Sequence, residues 1–438
     1  MKSTNTFSRL FHTLALAAVG LCAVAQSTTL SVNNTNTPYS RYGVGLLNDY
    51  GFGPSRAMGG IGFALRSNRY INPLNPASYS AVDSLTFLMD AAVSLQMSRL
   101  SESGQSTTAN NSSFDYIAVQ FRLHPGLGIT AGLRPFSNVG YNLGNSSYIT
   151  DEGTGQQTAA TYNYYGDGGI HQVFLGMGYE PVRNFSLGFN ISYLFGSIEK
   201  ASTVVSDAYS DGSVRKTGTM DVYDYKLDLG AQYSYVLDER KNKALTLGVT
   251  YSLGHELNTV DKSTTGESTQ SLDAKLKLPH AVGAGLAYTD EHWTAGIDYS
   301  LQLWEQEYYE PLSYDTGIEA ASVLQPLKNR HRIAAGAEWI PNQYSSYYHD
   351  QIRYRFGAHY TTPYYQIKSG QGAWIDGPKE WGVSAGVGLP LKFLNRSIVQ
   401  ITAQYVRTSL SEYVTDNTFR LTLGLTFNET WFEKWRVK

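Results

Sequence analysis

The feature that most limits what this chain can become is a two-residue alternation of apolar and polar side chains, repeated along most of its length. Phe185, Leu187, Phe189, Ile191 and Tyr193 alternate with Ser186, Gly188, Asn190 and Ser192. Tyr223, Tyr225, Leu227 and Leu229 alternate with Asp224, Lys226, Asp228 and Gly230, and Phe419, Leu421, Leu423 and Leu425 with Arg420, Thr422, Gly424 and Thr426. Strand side chains point to opposite faces in turn, so each run has one greasy face and one wet face. Composition says what the greasy face meets. Only 16% of the 438 residues are charged, while Tyr numbers 33 and Gly 42. That charge content lies well below the roughly 25% of soluble domains. Mean hydropathy is −0.29, too polar for a bundle of membrane helices. The remaining solution is a closed sheet that shows lipid to one face and a polar lumen to the other.

Fourteen such runs are predicted, starting near residues 84, 114, 126, 170, 184, 218, 243, 271, 292, 329, 351, 380, 396 and 418. An even number suits a single-chain outer-membrane barrel. The stretches 98–113, 137–169, 200–217, 305–328 and 363–379 are expected as long outer loops. His124-Pro125-Gly126, Thr289-Asp290-Glu291 and Lys392-Phe393-Leu394-Asn395 read as short periplasmic turns. Tyr and Trp near strand ends, among them Tyr179, Trp293, Trp339 and Trp381, suit aromatic girdles, although they also suit ordinary strand propensity.

The N-terminus reads as a secretory signal over residues 1–25. Lys2 and Arg9 precede the apolar Leu14–Val24, and Ala23-Val24-Ala25 is a small-x-small cleavage site. Cys22, the only cysteine, lies within it behind Leu21, which disfavours a lipoprotein signal. The mature chain then carries no thiol and no Cys-based metal site. Residues 26–80 lack strict alternation and crowd Gly51, Gly53, Gly59, Gly60 and Gly62 among apolar residues. They are expected to form a plug inside a barrel made of residues 81–438.

Met58-Gly59-Gly60-Ile61-Gly62-Phe63-Ala64, followed by Asn75-Pro76-Ala77 and fourteen strands, resembles the long-chain fatty acid transporter (FadL-like) family, also called outer membrane protein transport proteins. Leu278-Pro279-His280-Ala281 and Arg332-Ile333-Ala334-Ala335-Gly336 carry the same likeness. The resemblance implies an N-terminal hatch in a 14-stranded barrel and passage of hydrophobic molecules into the envelope. The chain departs from the family pattern in its polar opening Ser27–Asn34 and in its basic tail Lys434–Lys438.

The chemistry-bearing motifs are few. Gly382-Val383-Ser384-Ala385-Gly386 matches the nucleophile-elbow pattern, but that chemistry needs a strand-to-helix turn, and here the match sits within an alternating run. The nine histidines show no ligand spacing. Neither a cofactor nor a metal is expected, and a net charge of −3 gives no electrostatic case for nucleic acid. Arg332, Arg353, Arg355 and Arg420 face the lumen. Arg353 and Arg355 are expected to receive a carboxylate head group, because two guanidinium forks on one strand can bind it bidentately, and to hold the plug by ion pairs. Gly59, Gly60, Gly62, Asn75, Pro76 and Ala77 are the gating candidates, although Asn-Pro can equally be a plain turn. The expected function is an outer-membrane channel for passive, plug-gated uptake of small hydrophobic molecules, with membrane lipids and an apolar ligand or bound detergent as partners. A barrel component of a protein secretion or surface-attachment machinery and a general porin are the competing readings.

Overall fold

The computed structural model describes residues 35–430, apart from short internal stretches of which 311–322 is the longest. The expected signal segment and the basic tail lie outside the described residues. Fourteen antiparallel strands close into a barrel. They are β1 (Thr86–Glu102), β2 (Gln105–His124), β3 (Leu127–Thr150), β4 (Gln157–Val182), β5 (Phe185–Ser206), β6 (Ser213–Asp238) and β7 (Lys243–Ser252). The ring continues through β8 (His280–Thr289), β9 (Trp293–Leu303), β10 (Arg330–Trp339), β11 (Arg353–Thr361), β12 (Lys379–Pro390), β13 (Ile398–Ser409) and β14 (Thr415–Thr430). β1 pairs with β14 from Thr86↔Thr430 to Ser101↔Thr415, so the sheet has no free edge there.

The side chains face as the alternation requires. Leu187, Ile191, Tyr225, Leu229 and Leu423 are exposed, while Ser186, Asn190, Asp224, Gln232 and Thr422 are buried in the lumen. A closed barrel with an apolar outer surface is built for lipid, because strand pairing around the ring satisfies the backbone groups that face it. This is an outer-membrane barrel. Among the described residues, no helix is long and apolar enough to cross a membrane.

The wall is uneven in height. A spanning strand needs about 9–11 residues, and β7 to β11 have 9 to 11 each. β3, β4, β5 and β6 run to 24, 26, 22 and 26 residues and project beyond the bilayer. Three expectations are corrected here. The stretches 98–113, 137–169 and 200–217 are not long loops but mainly strand, and the second strand begins at Gln105 rather than near 114. Ser271 belongs to a hairpin (Thr259–Thr265 with Ser268–Leu272) that extends the β6 wall, so the eighth barrel strand starts at His280. The stretches 305–328 and 363–379 hold small hairpins, Gln306–Glu310 with Val323–Leu327 and Gln366–Lys368 with Trp374–Asp376. Polar residues dominate the projecting walls because both faces meet water there. The apolar alternation fades while the backbone ladder continues.

Residues 35–82 lie inside the ring and touch strands on every side of it. Their only regular pieces are short: Pro38–Arg41, Leu46–Leu47, Pro54–Ala57 and Pro76–Ala81. Three apolar clusters form around them. One joins Phe52, Ile71 and Tyr79 to Leu88, Tyr116 and Phe174 of the wall. A second joins Met58, Ile61 and Leu65 to Ala287 and Ala334. The largest occupies the outer half and brings Tyr39 and Val44 against Val139, Ile170, Leu194, Met220, Trp304 and Tyr364. The lumen is therefore packed, not simply polar.

This packing decides where a charge can be tolerated. Leu423→Arg places a cation on the lipid face near mid-bilayer and should cost about 2–4 kcal/mol. Thr422 is only 3% exposed, so Thr422→Arg meets hatch and wall rather than water and should also fail, whereas Thr422→Ser should fold normally. Migration of boiled and unboiled samples on a detergent gel reads each outcome.

Candidate functional site

The site of interest is the seam between the internal segment and the wall. It begins with glycine. Gly128, Gly178, Gly188 and Gly230 sit side by side on β3, β4, β5 and β6, each opposite the next. On this bare stripe lies the 3-10 turn Pro76–Ala81. A Cβ on Gly188 would come within 2.4 Å of the Pro76 carbonyl carbon, and one on Gly178 within 2.5 Å of its oxygen. Backbone can approach backbone this closely only where no side chain intervenes.

Asn75, Pro76 and Ala77 are brought together by this seat. The Asn75 side chain accepts from Ala77 N at 3.1 Å and caps the turn. Its amide donates to Phe63 O at 2.7 Å and to Ala231 O of β6 at 3.1 Å. The plain-turn role and a tether to the wall are thus combined in one side chain. Tyr79 extends the contact, its hydroxyl donating to Asn190 Oδ1 at 3.0 Å.

The Gly59–Gly62 stretch has a second seat. Gly59 and Gly60 adopt φ of +70° and +82°, which glycine takes at low cost. Gly336 and Gly357, opposite each other on β10 and β11, leave room for Met58 and Gly59 to lie on the wall. Wall side chains then grip the backbone of this turn. Arg332 donates to Gly59 O at 2.7 Å, and Asp298 accepts from Gly62 N at 2.5 Å and Phe63 N at 2.8 Å. Ser384 accepts from Gly59 N and donates to Ala57 O, both at 2.9 Å. Ser384 lies within β12 with no helix after it, so it serves as a bracket for the turn rather than as a nucleophile elbow.

The arginines divide in a way the sequence did not reveal. Arg353 Nη1 lies 2.8 Å and Arg355 Nε 2.6 Å from the two oxygens of Glu338, so their forks share a carboxylate supplied by β10. They bind the wall to itself and do not pair with the plug, contrary to the expectation that they hold it. Charged ties between the internal segment and the wall include Arg56–Asp115 at 3.1 Å, Arg66–Glu180 at 2.5 Å and Arg330–Asp49. Arg420 donates to Gln96 at 2.7 Å and lies 5.5 Å from the Tyr50 ring. Burial pushes the Tyr50 phenol up to about 12, so it stays neutral at physiological pH. Arg56 and Asp115 were missed because neither lies in an alternating register. Asp115 is the extra residue of a bulge where β2 slips against β1 between Ala92 and Val93.

The bulge sits beside a break in the wall. β2 and β3 pair from His124↔Leu127 up to Ile117↔Leu133, and the pairing stops there. Beyond it the internal segment takes the place of β2. Leu46 and Leu47 pair with Asn138 and Ser137 of β3, Asn48 N donates to Phe136 O at 2.9 Å, and Thr37 N donates to Gly140 O at 3.0 Å. A cavity of about 130 Å³ lies behind this clip, lined in part by Leu47, Tyr50, Phe114, Pro135 and Arg420. Among the described residues, no group of three His, Asp or Glu side chains could hold a metal.

The sequence model of the BamG family matches residues 13–438, nearly the whole chain. The chain belongs to the BamG family. No curated protein matches it. Solved structures share its fold. A Pseudomonas aeruginosa FadL homologue superposes with a TM-score of 0.59 at 11% identity, covering 87% of this chain and 99% of that one. The Ralstonia pickettii toluene transporter TbuX gives 0.57 at 15% identity over 87% and 99% of the two chains. The Pseudomonas putida toluene transporter TodX gives 0.54 at 13%, over 88% and 100%. The BamG-family chain is thus FadL-like in architecture, as its motifs suggested.

The buried Arg56–Asp115 pair supplies a test of the seam. Arg56→Ala leaves the Asp115 carboxylate without its partner in a dry site and should destabilise by about 3–5 kcal/mol. The double variant Arg56→Met/Asp115→Asn should recover much of the loss. Thermal unfolding in detergent, followed by the gel shift, compares the two.

Proposed function

We propose that this barrel is a channel for small hydrophobic molecules, with residues 35–82 as its hatch and the β2–β3 break as the exit. One observation carries the reading: the wall ladder stops at Ile117↔Leu133 and the hatch strand Leu46–Leu47 completes it. If that clip leaves, β3 loses its partner and the cavity behind Leu47 and Phe114 opens sideways into the bilayer. An apolar solute gains from such an exit, since it passes from a protein cavity into lipid without crossing water. Gly59, Gly60 and Gly62 serve as the flexible part of the hatch, and Asn75, Pro76 and Ala77 as its fixed anchor. Arg332 holds the turn, while Arg353, Arg355 and Arg420 keep the wall around it in shape; a ligand carboxylate would reach the two forks by displacing Glu338. The solved structures named as toluene transporters support a small aromatic solute.

A second reading is favoured by the large outer cluster, in which Tyr39, Val139, Leu194, Trp304 and Tyr364 are all buried. A dry core there would suit a rigid barrel that serves a secretion or surface-attachment machinery. The filled lumen weighs against a general porin.

A cysteine clip separates the two main readings. Antiparallel partners lie about 4.5–5.5 Å apart at Cα, within disulfide range, so Leu47→Cys/Ser137→Cys should cross-link hatch to wall. In proteoliposomes the oxidised variant should take up labelled toluene or oleate far more slowly than the reduced one. Equal uptake in both states would exclude the β2–β3 exit, and absence of uptake by the unmodified protein would favour the scaffold.

A further inference from the structure

Two tyrosine–histidine pairs stand on the lipid face with geometry that the channel reading does not use. Tyr251 Oη lies 2.7 Å from His280 Nδ1, and Tyr299 Oη 2.8 Å from His331 Nδ1. The two pairs are built alike. Tyr251 on β7 opposes Val282 of β8, and Tyr299 on β9 opposes Ile333 of β10. In each case the histidine lies two residues before that partner, the diagonal position that long side chains can reach. Both histidines are exposed. A third pair, Tyr225 with His255, stacks at 4.3 Å, but there the imidazole turns inward to Asp224 at 3.2 Å and is not available outside.

The hydrogen bonds assign the free atom. Gly254 N donates to His280 Nδ1 at 3.1 Å, and a backbone N–H can only donate. Nδ1 is therefore the acceptor, and the neutral ring carries its proton on Nε2, aimed away from the wall. With the Tyr299 hydroxyl donating to Nδ1, as Tyr251 does in the first pair, His331 also carries its proton on Nε2.

Their height is informative. Eight residues separate His280 from Tyr288, and eight separate His331 from Trp339, which marks the inner aromatic girdle with Trp293. At about 3.3 Å per residue and a tilt of roughly 40°, the histidines stand about 20 Å above that girdle. The apolar band of such barrels is about 25 Å tall. Both Nε2 donors thus face the border between acyl chains and headgroups of the outer leaflet. The exposed Lys277 lies three residues before His280 at the same rim. A polar N–H at this depth requires an acceptor, which a lipid headgroup can supply.

We propose that the Tyr251–His280 and Tyr299–His331 pairs form a binding site for the phosphate-bearing headgroup of a lipid in the outer leaflet. The tyrosines orient the rings, the imidazole N–H groups donate to phosphate oxygens, and Lys277 adds charge. The apolar strand faces below, with Leu286, Ile297 and Ile333 exposed, take the acyl chains.

Native mass spectrometry of the full chain in maltoside micelles tests this. The protein is titrated separately with lipid A, with dioleoyl phosphatidylglycerol and with a digalactosyl diacylglycerol that lacks phosphate. The phosphate lipids should bind, and His280→Leu/His331→Leu should weaken them about tenfold, as expected for losing charge-assisted hydrogen bonds. The galactolipid should bind weakly to both proteins. Preference for lipid A over phosphatidylglycerol would identify the phosphomonoester as the source, and equal binding any lipid phosphate. Tyr299→Phe keeps the apolar face and removes only the orienting hydroxyl. It should weaken the same lipids about threefold and serves if the double variant does not fold. Unchanged binding in the folded variants, or equal binding of the galactolipid by the unmodified protein, would overturn the site.

Discussion

Backbone pairing is the constraint on which everything else in this molecule depends. In lipid, an unpaired N–H or C=O has no water to turn to. The ring of fourteen strands answers this by closing β1 on β14. Where the ring does not pair with itself, above Ile117↔Leu133, the internal segment supplies the missing partner through Leu46 and Leu47. The internal segment is therefore more than contents. It completes the hydrogen bonding of the wall at one place, and a small cavity lies behind it.

A ring of this size encloses more space than wall side chains fill alone. Two solutions are used together. Where the hatch backbone must pass close, the wall carries glycine, as at Gly178, Gly188 and Gly230 beneath Asn75 and Pro76. Where it stands off, apolar side chains from both sides meet, as Phe52 does with Tyr116, stacked at 3.8 Å. Around residues 57–65, polar wall groups bind the main chain: Arg332, Asp298, Gln232 and Ser384 all address backbone atoms there. Such a grip depends little on hatch side chains and strongly on hatch conformation.

The charges follow the same economy. Glu338 neutralises Arg353 and Arg355 within the wall, and Asp115 neutralises Arg56 of the hatch. Buried ions require partners, and breaking one pair costs more than the pair contributes. Some charged contacts of the lumen face thus tie the wall to itself, and others fix where a piece of the internal segment can sit.

By itself the sequence determined the barrel, its fourteen strands, the lipid and lumen faces and the presence of a non-alternating segment before β1. These are local properties: a period of two within each run, and breaks between runs. Strand length already pointed to strands projecting past the outer leaflet, but the sequence could not set how far β3 to β6 extend, because above the membrane both faces are wet and the period disappears. Nor could it pair Arg353 and Arg355 with Glu338, seat Pro76 on the Gly188 stripe, or place Leu46 and Leu47 in the gap beside β3. Those contacts join residues far apart in the chain, and their partners are chosen by strand register and lumen volume, which exist only once the ring has closed.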